Sequence, residues 1–328
     1  MKIVQLILLF LPLTTLSFGQ VISGKVLDRE TREPIGFASV FFDGTFVGTT
    51  TDGQGHFELD VTSYGSRSLT ISAVGYHSNL ITELTTELNH QVLLEHRVFE
   101  IEEVTVTSKS LVRKRKACMR IFKKEFIGLT KNARKCYILN ETDITFNYNS
   151  DKDTLRAYAS KPIQIQNLAL GYDISYHLER FEYIRVTRTM LYTGSIIFNR
   201  DLISDEESLK TYKRRRAYAY TGSSKHFFRA LWSSSLKSSG FLIKNFRTSD
   251  ELKYEDLVSQ DVLGNKFLYY NEELAINYYD NHSYISFHEY KVHFEEDGFF
   301  DPTAVIWTGK MSEQRIADFL PYEYLLAE

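Results

Sequence analysis

Hydrolytic chemistry needs particular side chains at particular spacings. A catalytic zinc site takes three protein ligands and keeps one position open. The sequence offers a single His-x-x-Glu, His293 to Glu296. That stretch reads as a strand end, where residues three apart point to opposite faces and converge only through a bulge or turn. His288 and Glu289, as neighbours, diverge in the same way, and no His-Glu-x-x-His occurs. No Gly-x-Ser-x-Gly elbow marks a serine nucleophile. Gly53 and Gly55 belong to a strand turn rather than a phosphate-cradling loop. The sequence therefore assigns no catalytic residue, no metal ligand and no cofactor.

The densest polar run is Tyr212 to His226, with Arg214, Arg215, Arg216, Tyr218, Tyr220 and His226. Guanidinium groups beside aromatic rings suit an anionic or glycan ligand, through forked hydrogen bonds and ring stacking. The same run also reads as a solvated helix face, balanced by Asp205, Glu206 and Glu207 just upstream.

Cys118 and Cys136 lack the Cys-x-x-Cys spacing of a redox pair. An exported chain would allow them to join, closing a loop of about 18 residues worth roughly 3 kcal/mol. Two buried thiols fit equally well, because Cys118 shares a helical face with Leu111, Ile121 and Phe122.

Export is the expectation from the N-terminus. Lys2 precedes an apolar run from Ile3 to Leu13, too short for a membrane anchor, and Ser17 and Gly19 are spaced for cleavage before Gln20. No later run reaches the ~18 apolar residues of a spanning helix. The 328 residues, with net charge −3, give no general attraction to nucleic acid. Aromatic residues make up 14%, carried by 21 Tyr and 23 Phe, which leans the chain toward strands.

Between Gln20 and Arg97, short apolar runs alternate with turn signals. Phe57, Leu59 and Val61 share one face, as do Leu69, Ile71 and Ala73, and Asp52-Gly53 supplies a tight turn. Several such strands in about 75 residues make a small sandwich. Gly24-Lys-Val26-Leu-Asp28, Pro34-Ile35, Gly48-Thr-Thr-Thr-Asp52-Gly53 and Gly75-Tyr76 resemble the carboxypeptidase-regulatory-like domain, a transthyretin-like sandwich. The resemblance implies a non-catalytic module, of the kind that precedes many exported proteins of Bacteroidota, TonB-dependent importers among them. About 220 residues follow the join, too few for an importer's plug and a barrel of ~22 strands.

Residues 98–110 read as a linker or as a strand offered to a partner's sheet edge. Lys109 to Lys135 carries eleven basic residues against Glu125 alone. That suits an anionic surface, or the solvated side of a helix from Leu111 to Phe126 that buries Leu111, Cys118, Ile121, Phe122 and Phe126. Residues 111–328 read as one β-rich domain. Tyr172, Ile174, Tyr176 and Leu178 alternate with Asp173, Ser175, His177 and Glu179, which predicts a sheet with one wet face. Another strand is expected over Tyr284 to Phe294. Helices are expected over His226 to Ser239 and Ser312 to Leu320. Segments such as His226-Phe-Phe-Arg-Ala-Leu231 and Arg315 to Tyr324 resemble the C-terminal region of exported Bacteroidota proteins labelled only by their regulatory-like first domain.

The expectation is a mainly β protein: an N-terminal transthyretin-like β-sandwich followed by a β-rich α+β domain with a few helices. It would act without catalysis as an exported accessory or interaction protein, in the periplasm or on the periplasmic face of the outer membrane. Its partner would be an outer-membrane or envelope protein complex. The alternatives are a glycan- or peptide-binding module, and a hydrolase whose site is assembled from distant residues.

Overall fold

The computed structural model describes residues 20–64, 67–82, 90–97, 108–149 and 152–326. The expected signal segment at 1–19, the joining segment at 98–107 and the side chain of Leu111 lie outside the described residues.

The chain is mainly β. Its first part holds β1 (Val21–Asp28), β2 (Ser39–Phe42), β3 (Gly48–Thr50), β4 (His56–Asp60), β5 (Leu69–Ser72), β6 (Asn79–Ile81) and β7 (His90–Leu94). They form two facing sheets, ordered β4-β1-β7 and β3-β2-β5-β6. The alternation of Phe57 and Leu59 turns both inward, onto Ile22, Val26, Val40, Ile71 and Val92. Period-two patterning suffices here because one face of each sheet meets the other.

The second part begins with α1 (Ser108–Phe126). It continues with β8 (Cys136–Ile138), β9 (Ile144–Asn149), β10 (Thr154–Ala159), β11 (Ile163–Asn167), β12 (Tyr172–Ile184), β13 (Thr189–Asp201) and α2 (Glu206–Tyr220). The sheet runs β8-β11-β12-β10-β9, and the long β12 also pairs along its length with β13. Helix α1 lies on this sheet: Phe122 packs edge-on against Phe181 at 4.8 Å, and Phe126 against Tyr176 at 4.9 Å. Helix α2 is a full helix, opened by a capping box between Asp205 and Ser208.

The third part carries α3 (Ser224–Trp232), β14 (Phe241–Asn245), α4 (Tyr254–Leu257), β15 (Val258–Gln260), β16 (Lys266–Leu268), β17 (Leu274–Tyr278), β18 (Asn281–Phe287), β19 (Val292–Phe294) and β20 (Val305–Gly309). Its sheets are ordered β14-β17-β18-β20 and β15-β16-β19. A core of its own gathers Phe227, Phe228 and Leu231 of α3 against Ile243, Ile276, Ile285 and Phe294. The stretch read as one domain thus has two hydrophobic cores, one under α1 and one under α3.

Four expectations are corrected. Helix α3 stops at Trp232 rather than Ser239, because a run of serines follows. Ser233 Oγ donates to the Arg229 carbonyl at 2.9 Å, and Ser234 takes a φ of 55°; short hydroxyl side chains compete for backbone groups in this way. The strand expected over Tyr284 to Phe294 breaks at Phe287 and resumes at Val292, where the His288 N–H donates to the Ala304 carbonyl at 2.8 Å. Ser312 to Leu320 forms two 3-10 turns, Lys310–Glu313 and Ile316–Asp318, instead of a helix. Ile316, Ala317 and Leu320 are drawn into the α1 core, and the Ala317 N–H donates to the Ile127 carbonyl at 3.2 Å. Finally, the polar face of β12 is not wet at its centre: Ser175 is 9% exposed and His177 6%. The sandwich lies across it.

Candidate functional site

The sandwich meets the second sheet through two contacts. In the first, the turn after β2 runs along the edge of β13. The Gly44 N–H donates to the Ile196 carbonyl at 2.7 Å, and the Phe198 N–H donates to the Thr45 carbonyl at 2.9 Å. Asp43 accepts from the Ile196 N–H at 2.6 Å. On the other side of this turn, the Tyr322 N–H donates to the Gly44 carbonyl at 2.8 Å. Glycine is required at 44: its φ is +74°, and a Cβ there would meet the Tyr322 ring at 2.5 Å. Phe46 then enters the second core, 5.7 Å from Phe198 and 5.9 Å from Tyr172 between ring centres.

The second contact covers the polar face of β12. His177 Nδ1 lies 2.9 Å from Ser72 Oγ, with the Phe41 ring 4.9 Å from the imidazole. Burial lowers the His177 pKa to about 4, so the ring is neutral at pH 7. Ser78 Oγ donates to Glu179 at 2.6 Å, and Arg97 donates to the Leu178 carbonyl at 2.8 Å and to the Glu179 carbonyl at 2.5 Å.

A charge cluster around the buried Arg67 joins all three parts. The Arg67 side chain, 3% exposed, donates to Glu295 at 2.9 Å, pairs with Asp297, and lies 4.6 Å from each of the Phe299 and Tyr322 ring centres. Lys225 sits 4.0 Å from the Tyr322 ring centre and donates to the Leu320 carbonyl. Burial, reinforced by Arg229, holds the Lys225 pKa well below the ordinary lysine value. Burial likewise pushes the Asp43 carboxyl up to about 6, against the hydrogen bond from Ile196 and the charge of Arg67. Arg229 donates to the carbonyls of Tyr322 at 2.9 Å, Tyr324 at 2.7 Å and Asp297 at 2.8 Å. Each of these groups is engaged in holding chain segments together.

The six residues singled out between Tyr212 and His226 do not converge. Arg216 is buried: it forks onto both Asp201 oxygens at 2.8 Å, donates to the Leu170 and Gly171 carbonyls, and lies 4.0 Å from the Tyr172 ring centre. Arg215 reaches the Ala169 carbonyl at 3.3 Å. Tyr220 is buried and sits 4.8 Å from the His226 ring. His226 accepts from the Gly222 N–H at 3.1 Å, and burial lowers its pKa to about 4. Tyr218 points to solvent at 83% exposure. The helical period sets Arg214, Arg215 and Arg216 on different faces of α2, and His226 belongs to α3.

Arg214 and Arg216, however, line a cleft of about 560 Å³ between α2 and the C-terminal segment. Phe46, Tyr172, Leu209, Ala217, Pro321 and Tyr324 form its apolar walls, with Lys213 and Glu323 among its charged residues. Glu323 accepts from the Phe46 N–H at 2.8 Å. Sequence reasoning had no access to this cleft, because its walls come from residues 46, 172, 201–217 and 321–326. Nor did any local signal mark Asp43, Arg67 or Lys225.

Both cysteines are free thiols. Cys136 is buried, which pushes its thiol up to about 12, and Cys118 is half-buried on α1. His293, on β19, has its ring 5.6 Å from the Phe267 ring. Among the described residues no three His, Cys, Asp or Glu side chains gather as a metal site.

A family model described as the CarboxypepD_reg-like domain matches residues 22–106. It covers the sandwich, a regulatory-like and non-catalytic module. No curated protein matches the chain.

Proposed function

We propose that this chain is a non-enzymatic, exported accessory or interaction protein of the cell envelope, facing the periplasm, in which the sandwich is a fixed scaffold. The observation that carries this reading is the Arg67 cluster. Such a concentration of charge around a buried arginine, with shifted pKa values, is where chemistry is usually sought, yet here Arg67 ties the sandwich to the α3 core, and Lys225 and Arg229 tie α3 to the C-terminal segment. A module locked this way presents a composite surface. The apolar cleft beside α2 favours a second element of the reading, ligand binding at that surface, because concave apolar sites with a few polar groups are where ligands sit.

The test is an affinity capture of the tagged full chain from its host after mild cross-linking, with soluble and envelope fractions analysed separately. Co-purification with a defined envelope complex is the expected result. Recovery as a lone soluble species, or a reproducible hydrolytic activity lost on one substitution, would overturn the accessory reading.

A further inference from the structure

We propose that the cleft between α2 and the C-terminal segment binds a single-chain amphiphile with an anionic head, of the fatty-carboxylate class. This deepens the ligand-binding element of the proposed function by naming the ligand.

The volume of about 560 Å³ falls within the ~300–1,000 Å³ usual for small-molecule sites. Leu209, Lys213 and Ala217 follow at helical spacing on α2, so one helix face supplies an apolar wall and a cation together. Large apolar side chains gather at the same place in contact with water: Ile203 is 37% exposed, Leu326 46% and Leu325 75%. Such a concentration marks an interaction site more often than chance does.

The charges decide the head group. Asp201 is neutralised by the forked pair with Arg216, while Glu323 accepts from the Phe46 N–H and keeps its negative charge. Lys213 and Arg214 line the cleft and are exposed, and among the described residues no hydrogen bond or ion pair engages either side chain. Lys213 and Arg214 against Glu323 leave the cleft with one positive charge in excess. A carboxylate head meets these two cations, while its alkyl chain displaces water from Phe46, Leu209, Ala217 and Pro321. A neutral head leaves the cations unanswered, and a head without a chain leaves the apolar walls wet.

The test uses the purified full chain and isothermal titration with dodecanoate below its micelle concentration. Dodecyl maltoside and dodecyltrimethylammonium serve as neutral and cationic comparisons, and phosphatidylglycerol vesicles as a membrane comparison. The variants are the double substitution Lys213→Ala with Arg214→Ala, and Ala217→Trp, which fills the cleft. Expected are one-to-one saturable binding of dodecanoate, weakening by about tenfold or more in the double variant, and loss of binding in Ala217→Trp. Equal affinity for all three heads, unchanged dodecanoate affinity in the double variant, or binding to vesicles alone would overturn the proposal. Should Ala217→Trp fail to fold, the double variant decides, since both its positions are exposed. Absence of dodecanoate binding with the envelope complex still captured would reject this ligand and leave the accessory reading standing.

Discussion

Arg67 of the sandwich donates to the carboxylate of Glu295 at 2.9 Å across 228 residues of chain. Asp297, at the next turn, completes the pairing, and the Phe299 and Tyr322 rings flank the guanidinium. An ion pair at this depth gains little over a well-packed apolar contact, but removing one partner strands the other charges. Arg67→Ala is therefore expected to lower stability by about 3 kcal/mol, the low end of the ~3–5 kcal/mol range, because the carboxylates keep some water. Urea denaturation measures this. Limited proteolysis should show the sandwich released early, and an unchanged midpoint with intact protease resistance would remove the cluster's joining role.

Arg214 and Arg216, two residues apart, should behave oppositely. Arg216→Lys cannot serve two carboxylate oxygens and two carbonyls at once, so about 2 kcal/mol of stability is expected to be lost. Arg214→Ala, at an exposed position, should stay within ~0.5 kcal/mol of the parent. Parallel urea titrations give both numbers; equal losses would mean that burial does not distinguish them.

His177 makes stability depend on acid. Its folded pKa, about 4, lies below the ordinary 6.5. The neutral form is favoured by folding, so this contribution is present above pH 6.5 and is lost as pH falls from 6.5 toward 4. The shift corresponds to about 3 kcal/mol. Asp43 works the other way: with its pKa raised to about 6, its contribution fades as pH rises through 6. Comparing the parent with His177→Asn isolates the histidine. The parent should lose more stability than the variant between pH 6.5 and 4, and superimposable pH profiles would show that His177 titrates as if exposed.

The thiols give a chemical test of the same packing. Cys136, with its thiol pushed up to about 12, should resist iodoacetamide at pH 8 in the native protein, while the half-buried Cys118 reacts slowly. Both should react once the chain is unfolded without reductant. Labelling that requires prior reduction would instead establish a Cys118–Cys136 bond.

The sequence by itself determined the sandwich. Phe57 and Leu59 alternate, Asp52-Gly53 turns, and β4 meets β1 within about 40 residues, so local pattern and burial agree, although β1 also takes β7 from 66 residues on. It also determined the aromatic stripe of α3, because Phe227, Phe228 and Leu231 recur at helical spacing. It did not determine where α3 ends, since the serines after Trp232 turn the chain through local hydrogen bonds that hydrophobic periodicity does not report. Nor did it determine the fate of its polar residues. Period-two alternation placed Ser175 and His177 on one face of β12, but only the docked sandwich decides that this face is dry. The same holds for charge. Arg214, Arg215 and Arg216 are identical in type and adjacent in sequence, yet one lines a cleft, one reaches backbone carbonyls, and one is buried on Asp201. A side chain's environment is set by segments distant in sequence, and tertiary packing alone brings Asp201, Glu295 and Tyr322 to the arginines they meet.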